Sequence, residues 1–198
     1  MAGLENIRTR RDSTYLRLTS KPVDQSLLTW PTDAEAREKL RGQVIRGGYQ
    51  LVDRSGESDY RLGKNVAHLF AVGAMIPEAV AASRQLLEQG VFANVFNVTG
   101  AGPLYREFQN AQHAAISGAT KPSHLLEELV APGERGVPVV TVVDGHPHSM
   151  AWIGAALNAP TCPLGVVGVG QSGTVPDLYR EYKIDAASIV AACVNSLK

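Results

Sequence analysis

A chain of 198 residues, 44% of them apolar, can bury one full hydrophobic core and sits near the usual upper size of a single domain. Nineteen basic and nineteen acidic side chains cancel to a formal charge of zero, and no Lys/Arg cluster lies on one predicted helix, which argues against a nucleic-acid partner. No run approaches the roughly 18 apolar residues a membrane helix needs, and MAGLENIRTRRDS has no apolar signal segment, so no membrane partner and a cytoplasmic location are expected.

Residues 3 to 11 read as the last turns of a helix, and Tyr15, Leu16 and Leu18 as a short strand with no evident mate, ended by Lys21 and Pro22. The stretch Pro22 to Thr32, with two prolines and Trp30, reads as a linker crossing a surface. Asp33 caps a helix from Ala34 to Ile45, ended by Gly47 and Gly48. Tyr49 to Arg54 alternates as a strand and turns through Ser55 to Asp59, which predicts a hairpin with the next strand.

The region around which the chain is organised is Val66 to Val98. An apolar run, VAHLFAVGAM, reads as a strand buried on both faces. Pro77 suits a first helical turn and Glu78 complements the helix dipole. Ile76, Val80, Ser83 and Leu87 then recur at helical spacing, with Ala79 and Leu86 widening the stripe, and Gly90 closes the helix. VFANVFNV restarts as a strand, and strand, helix and strand with short turns predict a right-handed parallel crossover.

After the TGAGP loop, Leu104 to Ala115 reads as helical, and Ser123 to Val130 as a short helix capped by Ser123. Val137 to Val143 is the most strand-like stretch and is expected at the sheet centre, followed by a turn at Asp144 to His148 and a helix from Met150 to Leu157. Leu164 to Val169 reads as the last strand, leading through GVGQSGTVPD into a helix opened by Pro176 and Asp177 and running through Tyr182. Asp185 then opens a final helix to Leu197. The sum is an α/β fold, with a sheet of about five mostly parallel strands and helices on both faces.

Two loops carry the candidate chemistry. Gly168, Gly170 and Gly173 satisfy the spacing GxGxxG, and a glycine-rich turn between strand and helix can cradle an anion on backbone amides. The context of a dinucleotide site is missing, because no further βαβ half-unit follows. A structural turn, an interface and a small-anion site stay open. In DGHPHS, Asp144, His146 and His148 crowd the carboxyl end of a strand, where open α/β sheets bind ligands; the alternative is a polar turn facing solvent or a partner domain. A metal set would lack a nameable fourth ligand. Ser172 is not a nucleophile elbow, since Thr174 stands where GxSxG needs glycine. His68 reads as a satisfied core histidine, His113 and His124 as helical residues without partners, and Cys162 and Cys193 as reduced core thiols. No catalytic constellation emerges.

Taken together, three stretches resemble the C-terminal domain of the transketolase superfamily of thiamine diphosphate enzymes: FAVGAMIPEAVAASRQLLEQGVFANVFNVT, VPVVTVVDGH and GVVGVGQSGTVPDLYREYKIDAASIVAA. GLENIRTRRDSTYLRLTSKPVDQ and VFNVTGAGPLYREFQNAQ are most similar to the homodimeric decarboxylating component of the pyruvate dehydrogenase complex. The resemblance implies a three-layer α/β/α sandwich with a mixed five-stranded sheet whose first strand is antiparallel. It assigns residues 1–20 to the stub of a preceding pyrimidine-binding domain, 21–33 to a linker and 34–198 to the C-terminal domain. It implies thiamine diphosphate and magnesium for a parent enzyme and none in this chain, where the GDG motif and its paired Asn are absent. It transfers no catalytic residue. The expected partners are preceding cofactor-binding domains or a separate subunit, within a homodimer. The expected role is packing and dimer assembly through Gly168 to Gly173 and Asp144 to Ser149, with the chain inactive alone. Transketolase and deoxyxylulose phosphate synthase share the domain, so they remain alternative parents, and a free-standing regulator-binding module is the alternative of another kind.

Overall fold

A computed structural model describes residues 22–198. The helix, strand and domain stub read at residues 1–20 lie outside the described residues. Five strands form one sheet: β1 (Gly48–Val52), β2 (Val66–Ala71), β3 (Phe92–Val98), β4 (Val139–Val142) and β5 (Thr161–Leu164), in the order β1-β3-β2-β4-β5. The helices are α1 (Ala34–Arg46), α2 (Ile76–Glu88), α3 (Ala101–Ile116), α4 (Leu125–Leu129), α5 (His148–Ala151), α6 (Ile153–Leu157), α7 (Val175–Glu181) and α8 (Ala186–Ser196).

All six residues of β2 are buried, and β2 pairs in parallel with β3 on one side and β4 on the other. A strand with no solvent face must be covered twice, and the period-2 alternation divides its side chains between two apolar layers. Ala67, Leu69 and Ala71, with Ala93 and Val95 of β3 and Val140 and Val142 of β4, meet Ala79, Val80 and Leu86 of α2 and Ile189 and Cys193 of α8. On the opposite face Phe70, Phe96 and Val139 meet Leu104 of α3, Leu125 and Leu126 of α4, Met150 of α5 and Ile153 of α6. Phe70 and Phe96 stack at 4.6 Å between ring centroids. Side chains of this size stabilise the fold by roughly 1.5–3 kcal/mol each when fully buried. The result is the α/β/α sandwich with a mixed five-stranded sheet.

Several local expectations are corrected. β1 does not form a hairpin with β2. It runs antiparallel to β3, with Gly48 opposite Val98 and a bulge between Gln50 and Val52. Gly47 makes this possible: at φ +120° its carbonyl accepts from the amides of Thr99 and Gly100, and a Cβ there would lie 2.4 Å from the Gly100 oxygen. β2, not β4, is central. The last strand is Thr161–Leu164, not Leu164 to Val169: Val167 and Val169 are exposed, and a short strand carrying Pro163 serves the sheet edge because proline has no amide to offer. The TGAGP loop is in part helical, since α3 begins at Ala101. α4 begins at Leu125 with His124 before it, so Ser123 caps nothing, and the helix after the histidine turn breaks at Trp152 into α5 and α6. In the stretch read as a linker, Leu27 packs against the α2/α8 layer.

Arg46 ends α1 and bridges two carboxylates distant in sequence. Nε and Nη2 donate to Glu107 on α3 at 2.9 Å each, and Nη1 and Nη2 donate to Glu128 on α4 at 2.6 and 2.8 Å. Glu107 also accepts from the Leu125 amide at 2.9 Å. Planar bidentate pairing on a half-buried guanidinium is the geometry in which such pairs count. We predict that Arg46→Ala lowers stability by about 1–2 kcal/mol and that Arg46→Lys recovers only part of it, both read by urea denaturation.

His68 is fully buried, as expected, but it is not satisfied. Asn94 Nδ2 lies 3.5 Å from Nδ1, Nε2 has no hydrogen-bond partner, and a Glu134 oxygen stands 3.8 Å away. Asn94 Nδ2 also donates to the Tyr60 hydroxyl at 2.9 Å, and that hydroxyl donates to Glu134. Burial dominates and depresses the imidazole pKa to about 4, from an ordinary value of 6.5. The folded chain therefore binds this proton less readily than the unfolded chain. The neutral imidazole's contribution is complete above pH 6.5 and is lost as pH falls toward 4, on the order of 3 kcal/mol. Denaturation series at pH 7.5, 5.5 and 4.5 should show this loss, and His68→Gln should flatten that part of the profile.

Candidate functional site

Strands β2, β4 and β5 run parallel, so the turns after them open at one edge of the sheet. That edge holds both loops singled out from the sequence. The turn after β4 and the loop after β5 are joined at their roots, because the Val166 amide donates to the Gly145 carbonyl at 2.8 Å and the Val143 amide to the Leu164 carbonyl at 3.2 Å. The approach is close at Gly165, where a Cβ would meet the Gly145 oxygen at 2.5 Å and Pro147 at 2.9 Å. The structure thus joins the roots of the two loops, one carrying Asp144, His146 and His148 and the other Gly168, Gly170, Ser172 and Gly173.

Within the turn, His146 and His148 are exposed and their rings meet edge to face at 4.6 Å. The turn is stiffened locally. Ser149 Oγ donates to the His146 carbonyl at 2.9 Å, and Trp152 Nε1 donates to the Ser149 carbonyl at 3.0 Å. The Trp152 indole continues into an aromatic group with Tyr105 at 5.0 Å and Phe108 at 5.7 Å. Asp144 points elsewhere in function: its charge acts on the Tyr179 phenol of α7, whose pKa is raised by burial first and then by Asp144 and Glu78. Tyr179, Glu78, Arg180 and Asp185 line a shallow cleft of about 210 Å³. Its carboxylates already serve as helix caps, since Glu78 accepts from the Ala186 amide at 3.1 Å and Asp185 from the Ser188 amide at 3.3 Å.

The glycine-rich loop does not have the form of a phosphate cradle. A Cβ at Gly168 or Gly170 would meet nothing within 4 Å, and neither has a positive φ, whereas a cradle needs glycine where the ligand or the turn leaves no room. The amino end of α7 is filled by its own residues: the Thr174 hydroxyl caps the Asp177 amide, and the Asp177 carboxylate sits in the first turn, paired with Arg180. Its negative charge occupies the position an anion would take. The loop is instead held by Tyr182, whose hydroxyl accepts from the Gln171 amide at 3.0 Å and donates to the Val169 carbonyl at 3.2 Å.

Tyr182 and Tyr179 were not singled out from the sequence, and Glu78 was read there only as a helix-dipole partner. The available signal was the spacing of the two tyrosines, three apart on a short helix after the loop, which places them on neighbouring parts of one helix surface. Among the described residues no three His, Cys, Asp or Glu side chains converge to hold a metal ion. The edge, with one aspartate, two mutually packed histidines and no asparagine pair, does not fit a magnesium diphosphate. His113 on α3 is exposed, while His124 is buried with both ring nitrogens lacking a hydrogen bond and Glu127 3.6 Å away. Cys193 is buried and Cys162 partly so, both free. No helix among the described residues is long and apolar enough to cross a membrane.

No family model matches the chain. The pyruvate dehydrogenase E1 component of Mycolicibacterium smegmatis is 29% identical over 132 residues, which cover 66% of this chain and 14% of that protein. Among solved structures, a split-gene transketolase in an inactive β4 tetramer aligns over 76% of this chain and 42% of its own, with a TM-score of 0.50 and 21% identity. The transketolase from Leishmania mexicana aligns over 81% of this chain and 19% of its own, with a TM-score of 0.53 and 20% identity. The structural matches establish a shared fold, and the sequence match lies in the same superfamily. The resemblance to a transketolase-superfamily C-terminal domain therefore holds at low identity, and the chain spans about one seventh of the curated relative.

The two glycine positions separate cleanly in their expected behaviour. We predict that Gly165→Ala costs about 2 kcal/mol because it forces the two loops apart, whereas Gly168→Ala changes stability by less than about 0.5 kcal/mol; thermal denaturation of the two variants decides it.

Proposed function

We propose that this chain is the C-terminal domain of a thiamine diphosphate-dependent enzyme of the pyruvate dehydrogenase kind, and that it packs and assembles rather than catalyses. The observation that carries the reading is the sequence match to a pyruvate dehydrogenase E1 component on a transketolase fold. In this reading the cofactor and magnesium belong to preceding domains or to a separate subunit. The chain's part is mechanical. Its carboxyl-edge loops, joined at Gly145 and Gly165, meet the neighbouring domain, and the assembled parent is a homodimer. The self-capped α7 terminus and the open space around Gly168 favour packing over anion capture.

The test is an immunoblot of source-cell lysate with an antibody raised against this chain, followed by assay of the isolated native species. The expected outcome is a species that decarboxylates pyruvate only with thiamine diphosphate and magnesium, while the 198-residue chain alone binds no thiamine diphosphate in calorimetry. Cofactor binding by the chain alone, or a native species without any thiamine diphosphate-dependent activity, overturns the proposal.

The fold matches favour a second parent. Activity on xylulose 5-phosphate instead of pyruvate would assign the domain to a transketolase, and the split-gene neighbour makes a separately encoded subunit a concrete form of either parent.

A further inference from the structure

The loop between β5 and α7 is at once apolar, exposed and fixed. Val167 is 73% exposed and Val169 91% exposed, and no charged residue lies between Gly165 and Thr174. Exposed valines on a held backbone have the form of an apolar contact ordered before its partner arrives. This one is held at three groups: the Val166 amide on the Gly145 carbonyl, and the Val169 carbonyl and Gln171 amide on one phenol, that of Tyr182. Tyr182 is itself rooted, since its ring packs against the α2/α8 apolar layer and its amide donates to the Leu178 carbonyl at 2.9 Å. Gly168 and Gly170 flank Val169 and leave the space beside it clear. Ordering a loop before contact removes part of the entropy cost of association.

We infer that Val167 and Val169 form a preorganised apolar knob that seats in an apolar recess of the neighbouring thiamine diphosphate-binding domain, with Tyr182 as the positioning residue that holds it. The inference rests on the parent enzyme proposed above. A longer polypeptide flanks the equivalent region in the relatives, where this chain covers 14%, 19% and 42% of the partner sequence.

The test places a photo-crosslinking p-benzoylphenylalanine at Val169 of the chain as it is expressed in source cells, with exposed Arg84 on α2 as the control site, and maps the crosslinked peptides by mass spectrometry. The expected result is a crosslink from position 169, and not from 84, to a thiamine diphosphate-binding domain of the same or a second polypeptide. In the Tyr182→Phe background, which keeps the ring and removes the hydroxyl, the yield should fall about threefold or more with unchanged melting temperature. Crosslinks to a second copy of this chain, crosslinks to an unrelated protein, or a yield no greater than from position 84 overturn the inference. If no thiamine diphosphate-binding polypeptide accompanies the chain at all, the proposed parent falls with it. If one accompanies the chain but position 169 does not touch it, the knob alone is wrong.

Discussion

The double burial of β2 is the constraint from which the rest of the architecture follows. A strand whose every side chain is out of water has no tolerance for an uncovered face, so helices must lie on both sides, and its neighbours must be strands paired along both edges. Parallel pairing with β3 and β4 then demands crossovers, which the segments around α2 and α3–α4 supply. Once β2, β4 and β5 point the same way, their following turns must gather at one edge. The candidate site is therefore a product of topology before it is a product of chemistry. The two loops meet there because the Val166 amide reaches the Gly145 carbonyl and Gly165, lacking a Cβ, leaves room for that approach.

What was legible in the sequence follows from where local signals agree with the tertiary environment. Ile76–Glu88 was readable because Pro77, the apolar stripe and Gly90 all specify the same helix; of the marked stripe Ile76, Ala79, Val80, Ser83 and Leu86 are buried, Leu87 is only partly so, and the buried face also takes in Ala82. The transketolase-like fold was legible through motifs spread over three stretches. The last strand was misplaced because Val166, Val167 and Val169 carry high strand propensity, whereas the true edge strand TCPL is four residues with a proline. Propensity cannot distinguish a valine that packs from a valine that is displayed. The hairpin was misread for a related reason: β1 and β2 are neighbours in sequence, but pairing is decided by which strand edge is free, and β3 holds that place.

The candidate site was half legible. The residues at its rim, Asp144 to Ser149 and Gly168 to Gly173, stand out by composition, and glycine spacing suggested a cradle. Their actual arrangement depends on contacts that composition does not encode. Whether a glycine is required by space is a property of its surroundings, and Gly165, which carries no motif, is the crowded position while the motif glycines Gly168 and Gly170 are not. Likewise Tyr182 matters through its hydroxyl reaching back eleven and thirteen residues, a relation invisible to any helical period.

The Arg46 bridge also bears on the order in which the chain can assemble. Its two carboxylates lie 61 and 82 residues further along the chain, so this bridge closes only after the segment through Glu128 has emerged and folded, whereas the Thr99 hydroxyl can hold the Val44 carbonyl of α1 once β3 is complete. Closing loops of that length carries an entropic cost that only an already formed sheet can offset. During synthesis α1 would therefore dock at the end of β3 first and gain its ties to α3 and α4 only afterwards, settling in two stages.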